Sequence, residues 1–269
     1  MRKSFWLGMT GLLVVAAGQP ATAQTRPGFE VGAEAFDYAY RERFDGETVV
    51  RDDGEFIGLT AGYVETIGSG LFLRARLFTD FGRVDYRSDD GELKNVPQDI
   101  GQLELQIGRD FPVGERAALT PFVGLASRVL TDHSGGEETA NGTRGYDREI
   151  AYAYVPVGLA ASIPVGKLNL QLSAQYNHLI GGDAKSELSE VDPEFPDLKL
   201  DLDDGHGIEA SAMLVLPMGG SALSFGPFVR HWNIGRSESV TLSDAEEAVE
   251  FFEPRNRTTE LGLRLAIGF

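Results

Sequence analysis

Thr259-Glu260-Leu261-Gly262-Leu263-Arg264-Leu265-Ala266-Ile267-Gly268-Phe269 ends the chain in unbroken alternation. Leu261, Leu263, Leu265, Ile267 and Phe269 are apolar, whereas Glu260, Gly262, Arg264, Ala266 and Gly268 are charged or small. A β-strand sends successive side chains to opposite faces. This segment therefore has one greasy face and one that accommodates ions.

Working back from it, similar period-two runs lie near residues 28–44, 54–67, 70–87, 98–111, 117–132, 146–163, 167–182, 205–216 and 221–237, which makes ten strands with the last. No helical period is sustained between them. The connections alternate in length: Gly68-Ser69, Pro112 to Arg116, Pro164 to Gly166 and Pro217 to Gly220 are short, and 45–53, 88–97, 133–145, 183–204 and 238–255 are long. An even-stranded antiparallel barrel with both chain ends in the periplasm has that rhythm, tight turns inside and long loops at the cell surface. A soluble ten-stranded sandwich needs a packed apolar centre. Here the apolar face is nearly continuous and the opposite face is full of ions, so the pattern predicts an all-β, transmembrane, antiparallel up-and-down barrel.

Composition agrees. With 269 residues and 42% apolar content the chain is too hydrophobic to be disordered, and its lack of Cys removes disulfides, thiolate nucleophiles and Cys-ligated metal sites. A formal charge of −17 argues against a nucleic-acid partner, since phosphate binding along a duplex needs clustered bases. Ile150 to Gly166 and Ala210 to Val229 lack charge over a near-spanning length, but Pro156, Pro164, Pro217, Gly219-Gly220 and Pro227 break them as helices. At the N-terminus, Arg2-Lys3, the apolar run Phe5 to Gly18 and Ala21-Thr22-Ala23 form a secretory signal peptide over residues 1–23. The expected mature domain is 24–269, with a formal charge of −19 once Arg2 and Lys3 are removed.

Taking the apolar set as lipid-facing puts Leu71, Leu73, Ala75 and Leu77; Leu103, Leu105 and Ile107; Leu119, Val123 and Leu125; Val155, Val157 and Leu159; Leu168, Leu170 and Leu172; and Ile208, Ala210, Ala212 and Leu214 outside. Tyr63, Phe81, Phe111, Tyr176 and Phe269 fall where interfacial aromatic girdles are expected. Asp37 lands on the outward parity of the first strand. The inward set carries both signs, including Asp80, Gln102, Gln106, Arg128 and Gln175. Burying unpaired ions costs several kcal/mol each, so a closed lumen cross-linked by Glu30, Glu34, Arg74, Arg76, Glu104, Glu209, Arg230, Glu260 and Arg264 is expected. Arg74 or Arg76 should meet Glu104, Glu209 should meet Arg230, and closure of the last strand on the first should bring Arg264 to Glu30 or Glu34.

A terminal Phe269 preceded by Ile267 and Leu265 resembles the C-terminal signal by which outer-membrane barrels engage their assembly machinery. The ten-strand plan with acidic surface loops resembles the fold of omptin proteases and Opc-type adhesins of Gram-negative outer membranes. Omptins hold a catalytic water between an Asp-x-Asp pair above the third strand and an Asp-x-His pair above the seventh. Here Val84-Asp85-Tyr86-Arg87 and Asp183-Ala184-Lys185 occupy those places, each with one Asp and a base instead of the partner. The local Asp-x-His is Asp204-Gly205-His206, across the loop. Without His as proton acceptor the water is not activated, so Asp85, Asp183, Asp204 and His206 are the low-ranking catalytic candidates.

The other histidines, His133, His178 and His231, map with His206 to the extracellular half, and His178 and His231 have lipid-facing parity. A lipid-modifying site would need a Ser and an acid beside one of them, which the spacing does not supply. Segment 183–204 reads as a solvated, charge-repelled loop, and Asp201-Leu202-Asp203-Asp204-Gly205 lacks the ligand spacing of a calcium loop. No metal or cofactor is expected. Arg41 to Arg43, Arg144 to Arg148 and Arg255 to Arg257 are placed to touch lipopolysaccharide phosphates. The expectation is a bacterial outer-membrane, non-enzymatic, adhesin-like surface protein that meets outer-membrane lipid, lipopolysaccharide, the assembly machinery and an extracellular ligand. The alternatives are an omptin-like protease or lipid-modifying enzyme, and a narrow small-solute channel.

Overall fold

A computed structural model of the chain describes residues 27–68, 70–243 and 248–269. The expected signal peptide, 1–23, lies outside them. The strands in order are β1 (Gly28–Phe44), β2 (Glu47–Ile67), β3 (Leu71–Ser88), β4 (Gly91–Arg109), β5 (Phe111–Val113), β6 (Ala117–His133), β7 (Asp147–Val165), β8 (Leu168–Ser186), β9 (Leu198–Asp201), β10 (Gly205–Met218), β11 (Ser221–Ile234), β12 (Val240–Ser243), β13 (Ala248–Phe251) and β14 (Arg255–Gly268). Ten of these form a closed antiparallel ring, β1-β2-β3-β4-β6-β7-β8-β10-β11-β14, and β14 returns to β1 in register from Glu30↔Gly268 to Arg43↔Arg255. Short β5 flanks β6, β9 flanks β8, and β12–β13 is a separate hairpin. Closure leaves no sheet edge, which lets such a sheet sit in hydrocarbon with its backbone bonds satisfied.

The wall is taller than the apolar alternation alone indicates. Segments 45–53 and 88–97, expected as long loops, are mostly strand. β1 turns into β2 over Asp45-Gly46, both at positive φ (47° and 85°), and β3 turns into β4 over residues 89–90. A two-residue turn of that handedness matches the twist of the strands it joins. The polar composition that reads as loop belongs to outward side chains such as Arg51 and Asp53, while Asp52, Leu93 and Val96 point inward and are buried. Segment 183–204 also departs from expectation. β8 runs on to Ser186, β9 returns beside it, and Leu198, Leu200 and Leu202 are buried. Residues 187–197, with a 3-10 turn at Leu188–Glu190, and the short link 202–204 remain loop.

Outside, the apolar rows form a belt. Ile57, Leu59, Leu77, Leu105, Leu125, Val157, Ile208, Leu214 and Leu261 are exposed, with Tyr63, Phe111 and Phe269 toward the short-turn end and Phe81 and Tyr176 toward the loop rim. Phe29 and Tyr63 pack with ring centroids 4.7 Å apart. Above the belt the outward residues turn ionic, beginning with Asp37↔Glu55 and Arg83. Three irregularities interrupt the register near the rim; one falls between Glu42 and Arg43 of β1, where β2 carries the extra residue, and two re-aim side chains. Of these two, one lies between Val84 and Tyr86 of β3, the other between Ala153 and Tyr154 of β7 opposite Gly181 of β8, whose φ of 153° suits glycine.

Inside, the barrel is filled in layers. A ring of ion pairs crosses the middle of the apolar belt. Above it Phe36, Tyr38, Phe56, Tyr152, Tyr154, Phe228 and Trp232 pack with Ile100, Ile150, Leu179 and Leu202 into an aromatic and aliphatic core. Burying each large apolar side chain contributes about 1.5–3 kcal/mol, so the wall above the belt is held by packing inside the barrel as well as by its backbone ladder.

Candidate functional site

The ion layer is built from inward positions of seven wall strands. Glu260 of β14 accepts from Arg128 Nη2 of β6 and, at 2.7 Å, from Arg230 Nη1 of β11. Arg230 also donates to Glu34 of β1, whose other oxygen takes Arg264 Nε at 2.7 Å. Across the lumen, Arg76 of β3 donates to Glu104 of β4, which further accepts from Tyr154, Gln175, Gln102 and Gln106. Glu209 of β10 lies 3.8 Å from Arg230 and 3.9 Å from Arg76, joining the two halves. Glu104 and Glu260 are 0% exposed and Arg128 is 2%. Asp80 faces this layer 4.0 Å from Arg230, and Gly58 is needed opposite it, because a Cβ there would stand 1.7 Å from Asp80 Oδ1.

Of the luminal residues named from sequence, Arg76, Glu104, Glu209, Arg230, Glu34, Glu260 and Arg264 meet in this network. Arg264 takes Glu34 and not Glu30, and Glu104 takes Arg76 and not Arg74. Glu30 is exposed near the short-turn end, and Arg74 lies over the Phe72 ring at 4.9 Å. Arg128 emerges as a hub. Its inward parity was legible, but its partner lies across the barrel, where parity gives no information.

Nearer the rim, above the belt, sequence reading missed a second polar cluster. Arg148 of β7 holds Glu42 at 3.0 Å and Glu253 at 2.7 Å, and the Tyr40 hydroxyl donates to Glu42 at 2.9 Å. Gln98 Nε2 donates to Asp132 at 2.5 Å and lies 3.4 Å from Asp52. Burial, followed by the charge of Asp132, pushes Asp52 up to about 7, and burial pushes Glu253 up to about 7 despite Arg148. The signal was available: Phe36, Tyr38, Tyr40 and Glu42 keep one parity to the end of β1. The cavity between these groups is about 10 Å³. That is room for about one water, so no peptide or sugar reaches the carboxylates.

The omptin-like candidates do not converge. Asp85 points out of the wall and holds Lys94 Nζ at 2.9 Å, which keeps its carboxyl below the usual range. Strict alternation aims Asp183 inward, but the bulge at Gly181 turns it outward beside Ala151, 3.5 Å from Lys199. Asp204 is exposed, with its carbonyl accepting from Gly235 N–H at 2.7 Å. His206 faces outward and stacks on Tyr176 at 5.9 Å, opposite His178. His133 bonds Asp99 at 3.0 Å and His231 bonds Thr259 at 2.8 Å, both on the outer surface. No histidine therefore enters the lumen, and the space where a water could be held above it is the aromatic core. Among the described residues no cluster of three or more His, Cys, Asp or Glu has metal-binding geometry.

No family model matches the chain and no curated protein matches its sequence. Solved structures do. The outer membrane protease OmpT from Escherichia coli superposes with a TM-score of 0.58 at 11% identity, over 92% of this chain and all of that one. An outer membrane channel from Pseudomonas putida F1 (TM-score 0.42, 12% identity, 94% and 100% coverage) and the translocator domain of autotransporter NalP from Neisseria meningitidis (0.40, 12%, 89% and 88%) are also similar. The fold is thus that of a bacterial outer-membrane β-barrel, with the ten-strand omptin-type architecture. At this identity the likeness concerns the fold alone.

A filled interior has a measurable consequence. In planar bilayers the refolded protein should be electrically silent, and Arg74→Ala, which leaves the Arg128–Glu260–Arg230 layer intact, should stay silent too. Stable unitary steps from the wild type would show that the layer opens.

Proposed function

We propose that the protein is a non-enzymatic surface-interaction protein of a Gram-negative outer membrane, adhesin-like in that its loop rim, not its lumen, does the work. The observation that carries this reading is the ion layer, in which Glu34, Glu104, Arg128, Arg230 and Glu260 are buried, roofed by aromatic side chains: it leaves neither a conduit nor a cleft in which a histidine meets a carboxylate. The rim offers contact surface instead. Phe195 is 51% exposed at the tip of the β8–β9 loop among Asp192, Glu194 and Asp197. The loop between β6 and β7 is tied to that tip by Arg144, which donates to the Val191 carbonyl at 3.3 Å.

The other expected partners fit the same placement. The exposed belt is for lipid and the rim bases are for lipopolysaccharide. The final strand, with Leu265, Ile267 and Phe269 on its outward face, is for the assembly machinery. Phe269 N–H donates to the Phe29 carbonyl at 2.8 Å, which seats the terminal residue in the seam.

The test uses cells displaying the protein on immobilised host-cell and matrix material. Replacing residues 188–197 with a short Gly-Ser link keeps the β8–β9 pairing and should abolish attachment while leaving the folded band on unheated gels. Attachment that survives this change, or cleavage of dibasic peptides by purified protein in lipopolysaccharide, would sink the reading in favour of another working surface or of the protease.

A further inference from the structure

We propose that the rim cluster inside the barrel holds one calcium-sized divalent cation between Asp52 of β2 and Asp132 of β6, with the carboxamide of Gln98 on β4 as the third ligand. The site goes beyond the surface-interaction reading and depends on the fold alone. Its basis is charge without an answer. In the ion layer at the level of the belt, every carboxylate has a guanidinium within 4.0 Å. In the rim cluster the base is Arg148, and Glu42 at 3.0 Å and Glu253 at 2.7 Å already share it. Asp52 and Asp132 pair with no Lys or Arg among the described residues, although Asp52 is only 5% exposed. A carboxylate buried without a counter-charge is strongly destabilising. The pair therefore calls for a positive species.

Unpartnered oxygens point to the same place. Asp52 Oδ1 and Gln98 Oε1 are buried and accept no hydrogen bond, and both residues line, with Asp132, the cavity of about 10 Å³. Gln98, itself buried, directs its donor to the acids: Nε2 lies 2.5 Å from Asp132 Oδ2 and 3.4 Å from Asp52 Oδ2. The amide nitrogen thus stands where the two carboxylates converge, the position a bridging cation takes. A half-turn about the last side-chain bond exchanges Nε2 for Oε1 and gives that cation a third oxygen. The Ser134 hydroxyl donates to Asp132 Oδ1, which leaves Oδ2 for the cavity.

The donors select the ion. Carboxylate and carboxamide oxygens are hard ligands, suited to calcium and magnesium and not to copper or zinc. Magnesium keeps much of its water shell, and a cavity with room for about one water does not admit it. Calcium tolerates irregular geometry and takes about six to eight oxygens at roughly 2.3–2.6 Å. Asp52 in bidentate mode, Asp132 Oδ2, Gln98 Oε1 and water entering past the partly exposed Asp132 reach the lower end of that number.

The experiment uses full-length mature protein refolded in detergent, stripped of metal with a chelator and titrated at neutral pH with CaCl2 or MgCl2, while binding heat and thermal unfolding are followed together. One calcium should bind per chain with a dissociation constant of about 0.1–1 mM, because only two acids contribute, and the unfolding temperature should rise. Magnesium at the same concentration should do neither. Asp52→Asn/Asp132→Asn should lose both effects, yet without calcium it should unfold no lower than wild type, since the repulsion between the acids is gone. Gln98→Leu, which keeps both acids, should weaken calcium about tenfold or more. Asp183→Asn/Asp201→Asn, on the outer wall, should respond as wild type. The absence of a calcium-dependent shift, expected if a shared proton alone neutralises the acids, would overturn the proposal. So would a shift that survives in Asp52→Asn/Asp132→Asn, or equal stabilisation by magnesium.

Discussion

Glu260→Ala should be the most damaging single substitution in the lumen, lowering the unfolding free energy by about 3–5 kcal/mol. Its carboxylate is the common partner of Arg128 and Arg230, and both guanidiniums are buried where water does not replace it. A buried ion pair contributes little net stability against a well-packed apolar pair, because desolvation offsets the attraction, but removing one partner strands the other. The double variant Glu260→Leu/Arg128→Met should accordingly recover much of the loss. Trp232 provides the probe: its ring faces the Arg128 guanidinium at 5.8 Å, and the only other Trp in the sequence, Trp6, lies in the expected signal peptide. Denaturant titration followed by its fluorescence checks the result. An unchanged midpoint for Glu260→Ala would mean that the layer is hydrated and adjustable.

The rim cluster should make the upper cylinder less stable as pH rises. Asp52 and Glu253 are both held near 7 in the fold, against roughly 4 for unfolded carboxyls. The folded state thus binds more protons than the unfolded one between these values, and linkage requires stability to fall across the interval. The contribution of these two acids should be greatest below about pH 4, decline from there to about pH 7 and level off above it. Asp52→Asn should flatten the profile. Arg148→Met should steepen it, because Arg148 is the one base that bridges Glu42 and Glu253. Hydrogen exchange at the amides of Ile150 and Leu130, read from pH 5 to 8 and corrected for the intrinsic rate, measures this opening. A flat wild-type profile would show that these acids are solvated.

How far the sequence could be read follows from what sets each feature. The last strand was legible to the residue, since Leu261 to Phe269 and Glu260 to Arg264 obey one parity without interruption. Inward facing was legible for the same reason at Glu34, Glu104, Glu209 and Arg230. Partner choice was not, because it depends on stagger around the ring: Arg74 and Arg76 share a face, and only Arg76 is level with Glu104. The upper wall was misread as loop because Arg51, Asp53, Arg87 and Lys94 dominate its composition, although Asp52, Leu93 and Val96 continue the inward alternation. Asp183 was misplaced by one inserted residue, as a bulge inverts the facing of everything beyond it. Asp85 needed only parity, which already pointed it away from the lumen.

The seam between β1 and β14 has a topological corollary. Gly28 and Phe269 meet at the short-turn end, so a brief peptide bridge would make the polypeptide circular, and Asp45-Gly46 offers a place to cut it open again. In a permuted chain of that kind the ring is complete without a privileged first strand, while the apolar tail residue is moved from the terminus to the interior of the sequence. Permutation would thereby separate what the cylinder requires to be thermodynamically whole from the terminal residue proposed to meet the assembly machinery.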